Sequence, residues 1–210
     1  MNSNEKRINS CKLVGGNEKK KGHQREDDFE LKWGSKTNTS YKAEADKVIT
    51  DESFLDLLRN KLGDIVNGNT SIKGGRSIQF TLGNIPEISK SSNKLESIKQ
   101  ISIWQKYLGK YSSSKPASIM AYKGLKYWTF FRMIDIIEFI VEECIWRELP
   151  SSRLKGDFKD ETSKNKKRTI LTFEHRNGKH NSDFLGASGG QGIFFINILK
   201  QNIKFHEELI

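Results

Sequence analysis

From Met133 to Trp146 the chain is almost continuously apolar, and that stretch decides what kind of structure the sequence can adopt. Asp135, Glu138, Glu142 and Glu143 interrupt it. A membrane-spanning helix needs about 20 predominantly apolar residues, so the rest of the chain has to bury this segment instead, and no membrane is expected as a partner. The pattern predicts a buried helix over residues 133–149 with one acidic edge, closed by Pro150. A chain of 210 residues with 35% hydrophobic residues and 3 prolines has the material for a core, which excludes collagen-like and wholly disordered classes.

Around that segment the hydrophobic period changes repeatedly. Asp51 can cap a helix in which Phe54, Leu57, Leu58, Leu62 and Ile65 recur at helical spacing, and Asn67, Gly68 and Asn69 stop it. Residues 40–50 read as a strand carrying Val48 and Ile49. Two alternating runs joined by Gly74-Gly75 over residues 70–82 read as a hairpin. A helix is expected within residues 95–108, a strand at 169–176 with a return strand after Asn177-Gly178, and a final helix over 193–201. This order predicts an α+β domain with a mixed central β-sheet flanked by helices. Residues 1–22 lack hydrophobic periodicity and are expected to form a flexible basic arm ahead of a single domain, 23–210. That opening stretch also lacks an apolar signal core. Cys11 and Cys144 match no disulfide framework or zinc spacing, and an intracellular location, cytoplasmic or nuclear, is expected.

The formal charge is +10, and it is blocky. Residues 90–132 carry nine basic groups against one acidic, and residues 150–181 nine against four. Such blocks suit a polyanion better than uniform solubilisation does. Within them Lys106, Lys110, Lys123, Lys126, Arg153, Lys155, Lys167 and Arg168 are the candidate phosphate contacts, which makes DNA the expected partner. Trp104, Tyr107, Tyr111, Tyr122, Tyr127, Trp128, Phe130 and Phe131 interleave with the first block. Exposed aromatics of this kind could stack on bases; Trp128, Phe130 and Phe131, next to the apolar helix, read instead as core. Residues 153–159 read as a basic loop beside the sheet.

Chemistry is suggested by three separated segments. Glu26 lies on an early helical segment, Glu44 and Asp46 lie at i and i+2 on a strand, and Ser71-Ile-Lys73 places a cation on the next strand. Phosphodiester hydrolysis needs hard oxygen ligands for Mg²⁺ and a positive group to orient or activate water. In order and element type, residues 22–82 resemble the PD-(D/E)XK nuclease superfamily, which includes many restriction endonucleases. The resemblance implies a restriction-endonuclease-like core, a helix glutamate at Glu26, a metal-binding aspartate at Asp46 and the superfamily lysine at Lys73. Ser71 stands where that family places an acid, and no proline precedes Asp46, so Glu44 or Glu26 would have to supply the second ligand. Gln79 is a candidate for orienting the substrate.

Other motifs carry less. Ser188-Gly-Gly-Gln191 and Gly186-Ala-Ser-Gly-Gly190 echo ATPase and hydrolase signatures, but there is no phosphate-binding G-x-x-x-x-G-K-[ST] loop and no room for the acid and histidine of a triad. A phosphate cradle or a flexible loop remains for that cluster. His175 and His180 flank a turn and are too few for zinc. The sequence therefore points to a Mg²⁺-dependent DNA endonuclease, possible as a homodimer. The alternatives are a non-catalytic nucleic-acid-binding or packaging protein and a structural protein with an acidic partner.

Overall fold

The computed structural model describes residues 17–34, 36–37, 46–65, 67–104, 117–151, 153–160, 166–176 and 182–210. Helix α1 (Asn17–Trp33) begins inside the segment expected as an arm, so residues 17–22 are helical. Phe29 and Trp33, one turn apart, give it a buried stripe. Strands β1 (Lys36–Thr37) and β2 (Lys47–Val48) pair antiparallel. Helix α2 (Glu52–Leu62) starts as its sequence dictates, with Asp51 accepting the Phe54 N–H at 3.1 Å, but it ends at Gly63, whose φ of 98° suits glycine, short of Ile65 and of the expected stop at Asn67–Asn69.

Next come β3 (Asn69–Gly74) and β4 (Ile78–Gly83), the short helices α3 (Pro86–Ser89) and α4 (Lys94–Ser97), then β5 (Ile119–Lys123) and β6 (Tyr127–Arg132). Helix α5 (Met133–Glu143) is followed by β7 (Ile145–Glu148), β8 (Leu154–Asp160), β9 (Lys166–Arg176) and β10 (Ser182–Ala187). Helix α6 (Gln191–Asn202) and β11 (His206–Leu209) complete the order.

The class is α+β, but the strands form two sheets rather than one central sheet. The first is mixed, in the order β1-β2-β3-β5-β6-β11, with β3 and β5 parallel. The second is antiparallel, β4-β10-β9-β8-β7. Ile72, Ile119, Ala121, Trp128 and Phe130 on one face of the first sheet pack with Phe29 and Trp33 of α1 and with Phe54 and Leu58 of α2. Met120, Tyr122 and Phe131 on its other face join the inner face of the second sheet, Ile78, Phe80, Leu171, Phe173 and Leu185, together with α5 and α6. Trp128, Phe130 and Phe131 are core, as their position beside α5 suggested.

Four expectations are corrected. The Gly74-Gly75 pair makes no hairpin: β3 and β4 belong to different sheets, and Gly75, at φ 82°, carries the chain from one to the other. The helix expected to reach residue 149 stops at Glu143, because Ile145–Glu148 pairs with β8 and buries Trp146 opposite Gly156. The basic run 153–159 is mostly strand rather than loop, since its alternation places Leu154 and Phe158 in the core. The helix expected over 95–108 is reduced to α4 and a further turn at 101–104, and 105–108 lie outside the described residues. Among the described residues no helix is long and apolar enough to cross a membrane.

Candidate active site

Strand pairing alone brings two of the expected residues together. Lys47 lies opposite Thr70, and the ladder continues as the Asp46 N–H donates to the Thr70 carbonyl at 2.9 Å. Alternation then puts Asp46 on the face of Ser71 and Lys73, and Lys47 on the face of α1, where it is wholly buried and ion-paired to Glu30. Asp46 Oδ2 accepts the Ile72 N–H at 2.6 Å and stands 3.6 Å from Lys73 Nζ. The Asp46 side chain is 34% exposed and that of Lys73 only 16%, so solvent reaches the carboxylate more freely than the ammonium.

Lys73 has further neighbours that hold its charge in place. Its Nζ lies 5.5 Å from the centre of the Phe80 ring on β4, within the range of a cation–π contact. On β5, Tyr122 stands beside Lys73, and its phenol donates to the Gly75 carbonyl at 2.9 Å. Burial pushes the Tyr122 phenol up, and the nearby Arg25 guanidinium pulls it partly back. Ser71 is buried, beside Met120.

The remaining expected residues are placed differently. Glu26 lies on α1 with its carboxylate 3.7 Å from His23 Nδ1. It is the neighbouring Arg25 that runs along the strand end, so close that a methyl group at 74 would lie 2.6 Å from Arg25 Cδ. Glu44 lies outside the described residues. Gln79, on β4, is on the opposite face of that strand from Phe80, and its side-chain oxygen faces the two terminal nitrogens of Arg176 at 2.8 and 2.9 Å rather than Lys73. Among the described residues no group of three or more His, Cys, Asp or Glu side chains is gathered to hold a metal ion.

The expected phosphate contacts divide in the same way. Lys126 is exposed in the β5–β6 turn, while Lys123 is ion-paired to Asp28 and lies over Trp128. Arg153 meets Glu174 at 3.2 Å, and Lys155 donates to Thr172 Oγ1 at 2.6 Å, both on the outer face of the second sheet. Lys167 belongs to β9, opposite Lys159. Arg168 lies instead over α6, its guanidinium carbon 3.3 Å from the centre of the partly exposed Phe194 ring and its Nε donating to Gln191. Lys106, Lys110, Tyr107, Tyr111 and His180 lie outside the described residues.

The glycine cluster near 190 links the end of β10 to the start of α6. Gly186 and Gly192 press against the backbone at Ile78 and Arg76, and Gly189 and Gly190 have φ of 61° and 90°. His175 donates or accepts at Asp183 Oδ1, 2.7 Å away, and that buried carboxylate also accepts the Ile85 N–H at 2.5 Å. The sequence reading missed Arg25, and it grouped Tyr122 with aromatics that could stack on bases, whereas Tyr122 is buried. Gly74 was the available signal, since a glycine inside a strand often marks a close approach.

Comparison with protein-family models, with curated proteins and with solved structures finds no match to the chain.

Proposed function

We propose that this chain is a Mg²⁺-dependent endonuclease that hydrolyses phosphodiester bonds in DNA, with a restriction-endonuclease-like core in its first sheet. The observation that carries the reading is the Asp46–Lys73 pair, a carboxylate and an ammonium 3.6 Å apart on neighbouring strands. Its support also includes the order in which they occur: a helix with Glu26, then the strand after Asp46, then the strand with Lys73. Mg²⁺ keeps several waters and is usually held through one or two carboxylates plus substrate phosphate. Asp46, partly open to solvent, meets that minimum by itself, since Glu26 is held beside His23 on α1 and Ser71 is buried.

When bound, Mg²⁺ would polarise a phosphoryl oxygen and acidify a water. Asp46 would hold the ion and is itself held by the Ile72 N–H. Lys73, fixed between Asp46 and the Phe80 ring, would orient the attacking water and balance charge gathering on the phosphate. Cutting both strands of a duplex calls for two such sites, hence a homodimer on the DNA.

The test is plasmid nicking in Mg²⁺ by wild type, Asp46→Asn and Lys73→Met. Removal of a group that acts only in the transition state costs on the order of a hundredfold or more, so both variants should lose nicking while retaining DNA binding. A second reading, a non-catalytic DNA-binding protein, is favoured by the absence of a three-ligand acidic cluster among the described residues. Equal binding and no nicking by all three proteins would select it.

A further inference from the structure

Gly74 lets one side chain of α1 cross the end of β3. The methylene stem of Arg25 lies where a side chain at 74 would stand, and its guanidinium lies 3.8 Å from the position of a methyl group at Gly75. The guanidinium thus ends beside Gly75, whose carbonyl accepts the Tyr122 phenol at 2.9 Å, just past Lys73 on the same strand. Nearby cations are matched to acids: Lys47 to Glu30, Lys123 to Asp28 and Lys73 to Asp46. Arg25, among the described residues, makes no ion pair. One uncompensated guanidinium therefore lies at the end of the strand that carries Lys73, near a partly buried carboxylate–ammonium pair whose own charges cancel, and the local field favours an anion. The planar fork of a guanidinium matches two oxygens of one phosphate, which an ammonium cannot do.

We propose that Arg25 is the phosphate-binding arginine of the Asp46–Lys73 site, gripping a DNA phosphodiester beside Lys73. The inference rests on the nuclease reading for its substrate, but its test does not depend on cutting.

Affinity for a fluorescein-labelled DNA duplex is measured by anisotropy in EDTA over a salt series, for wild type, Arg25→Gln, Arg25→Lys and Arg59→Gln. Arg59 lies on α2 beside Asp56 and serves as a control for the loss of one positive charge. Arg25→Gln is expected to raise Kd about tenfold and to reduce the slope of log K against log salt by about 0.9, the contribution of one phosphate contact. Arg25→Lys should keep the slope, and Arg59→Gln should match wild type, with unchanged thermal melting throughout. The proposal is overturned if Arg25→Gln binds like wild type, if Arg59→Gln weakens binding equally, or if Arg25→Lys loses the slope as Arg25→Gln does. A wild type that binds as described but never cuts in Mg²⁺ ends the nuclease reading and leaves Arg25 as a phosphate contact. A wild type that binds no duplex ends both.

Discussion

Ile72, rather than Lys73, fixes Asp46: the Ile72 N–H donates to Asp46 Oδ2 at 2.6 Å, while the Lys73 ammonium stands 3.6 Å from the same oxygen. The described pairing of β2 with β3 runs through Lys47 and Val48, and the Asp46 side chain adds an acceptor for the Ile72 N–H beyond it. An unsatisfied main-chain N–H costs about 1–3 kcal/mol. Asp46→Ala should therefore lose about that much stability in urea unfolding, whereas Asp46→Asn, which keeps a carbonyl acceptor, should lose much less. Equal losses would show that the bond to Ile72 contributes little.

The buried Lys47 makes a second, sharper prediction. Its side chain is 0% exposed and paired with Glu30, which is 46% exposed. Removing the acid takes an ion-pair partner from a buried charge, while removing the cation leaves a carboxylate that can turn to water. Glu30→Gln should destabilise the protein more than Lys47→Met does, by at least about 1 kcal/mol, read as urea midpoints of the two variants. The reverse order would mean that Lys47 finds compensation elsewhere.

Acid should loosen the contact between α1 and the first sheet. Burial pushes the Asp28 carboxyl up, but hydrogen bonds from Lys123 and Gln24 outweigh it and hold it below its ordinary value. Glu207 behaves in the same way between Lys200 and Thr129. A carboxylate with a depressed folded value adds stability that is fully present above its unfolded value, about 3.9 for aspartate and about 4.3 for glutamate. That stability is lost as pH falls through the folded value. Melting temperature should fall steeply with pH below that window, and Asp28→Asn should flatten the fall. An unchanged acid limb in Asp28→Asn would remove this residue from the account.

Cys144 should be chemically silent in the folded protein. It is buried between α5 and β7, and burial together with the nearby Asp157 charge pushes its thiol well above the ordinary range. The thiolate is the reactive form, so peptide mapping after iodoacetamide should find residue 144 alkylated only in denaturant. Labelling under native conditions would show that this part of the core opens.

What could be read in advance depended on whether a signal was local. Helix α2 was legible because Asp51 and the Leu58–Leu62 spacing lie within one short window; the approach of Asp46 to Lys73 was expected from the family resemblance alone. The jump between sheets at Gly74-Gly75 was not, because a glycine pair marks both a hairpin and a crossing, and only the partner strands β5 and β10 decide between them. Strand β7 was hidden for a related reason: Ile145 and Trp146 continue an apolar helical pattern, and it takes β8, with Gly156 opposite Trp146, to pull them into a sheet. Arg25 looked like one cation among many in a basic stretch, since its role comes from a glycine 49 positions away.

The same dependence on distant backbone gives Gly192 an unusual sign. It lies in the first turn of α6, where replacement of glycine by alanine ordinarily helps by about 1 kcal/mol. Here its N–H donates to the Arg76 carbonyl at 3.0 Å, and a methyl group would sit 2.8 Å from that oxygen and 3.2 Å from Ile78 Cγ1. The carbonyl belongs to the link between β3 and β4, so it cannot withdraw as a flexible side chain could. Overpacking of this kind costs about 1–3 kcal/mol, enough to exceed the helical gain. Gly192→Ala should lower the urea midpoint. Gly189→Ala, with nothing within 4 Å but a φ of 61°, should lose only the cost of a left-handed backbone, about 1–2 kcal/mol. If Gly192→Ala instead stabilised the protein, α6 would not be pressed against the Arg76 carbonyl, and the link that follows Lys73 would lose the contact that anchors it.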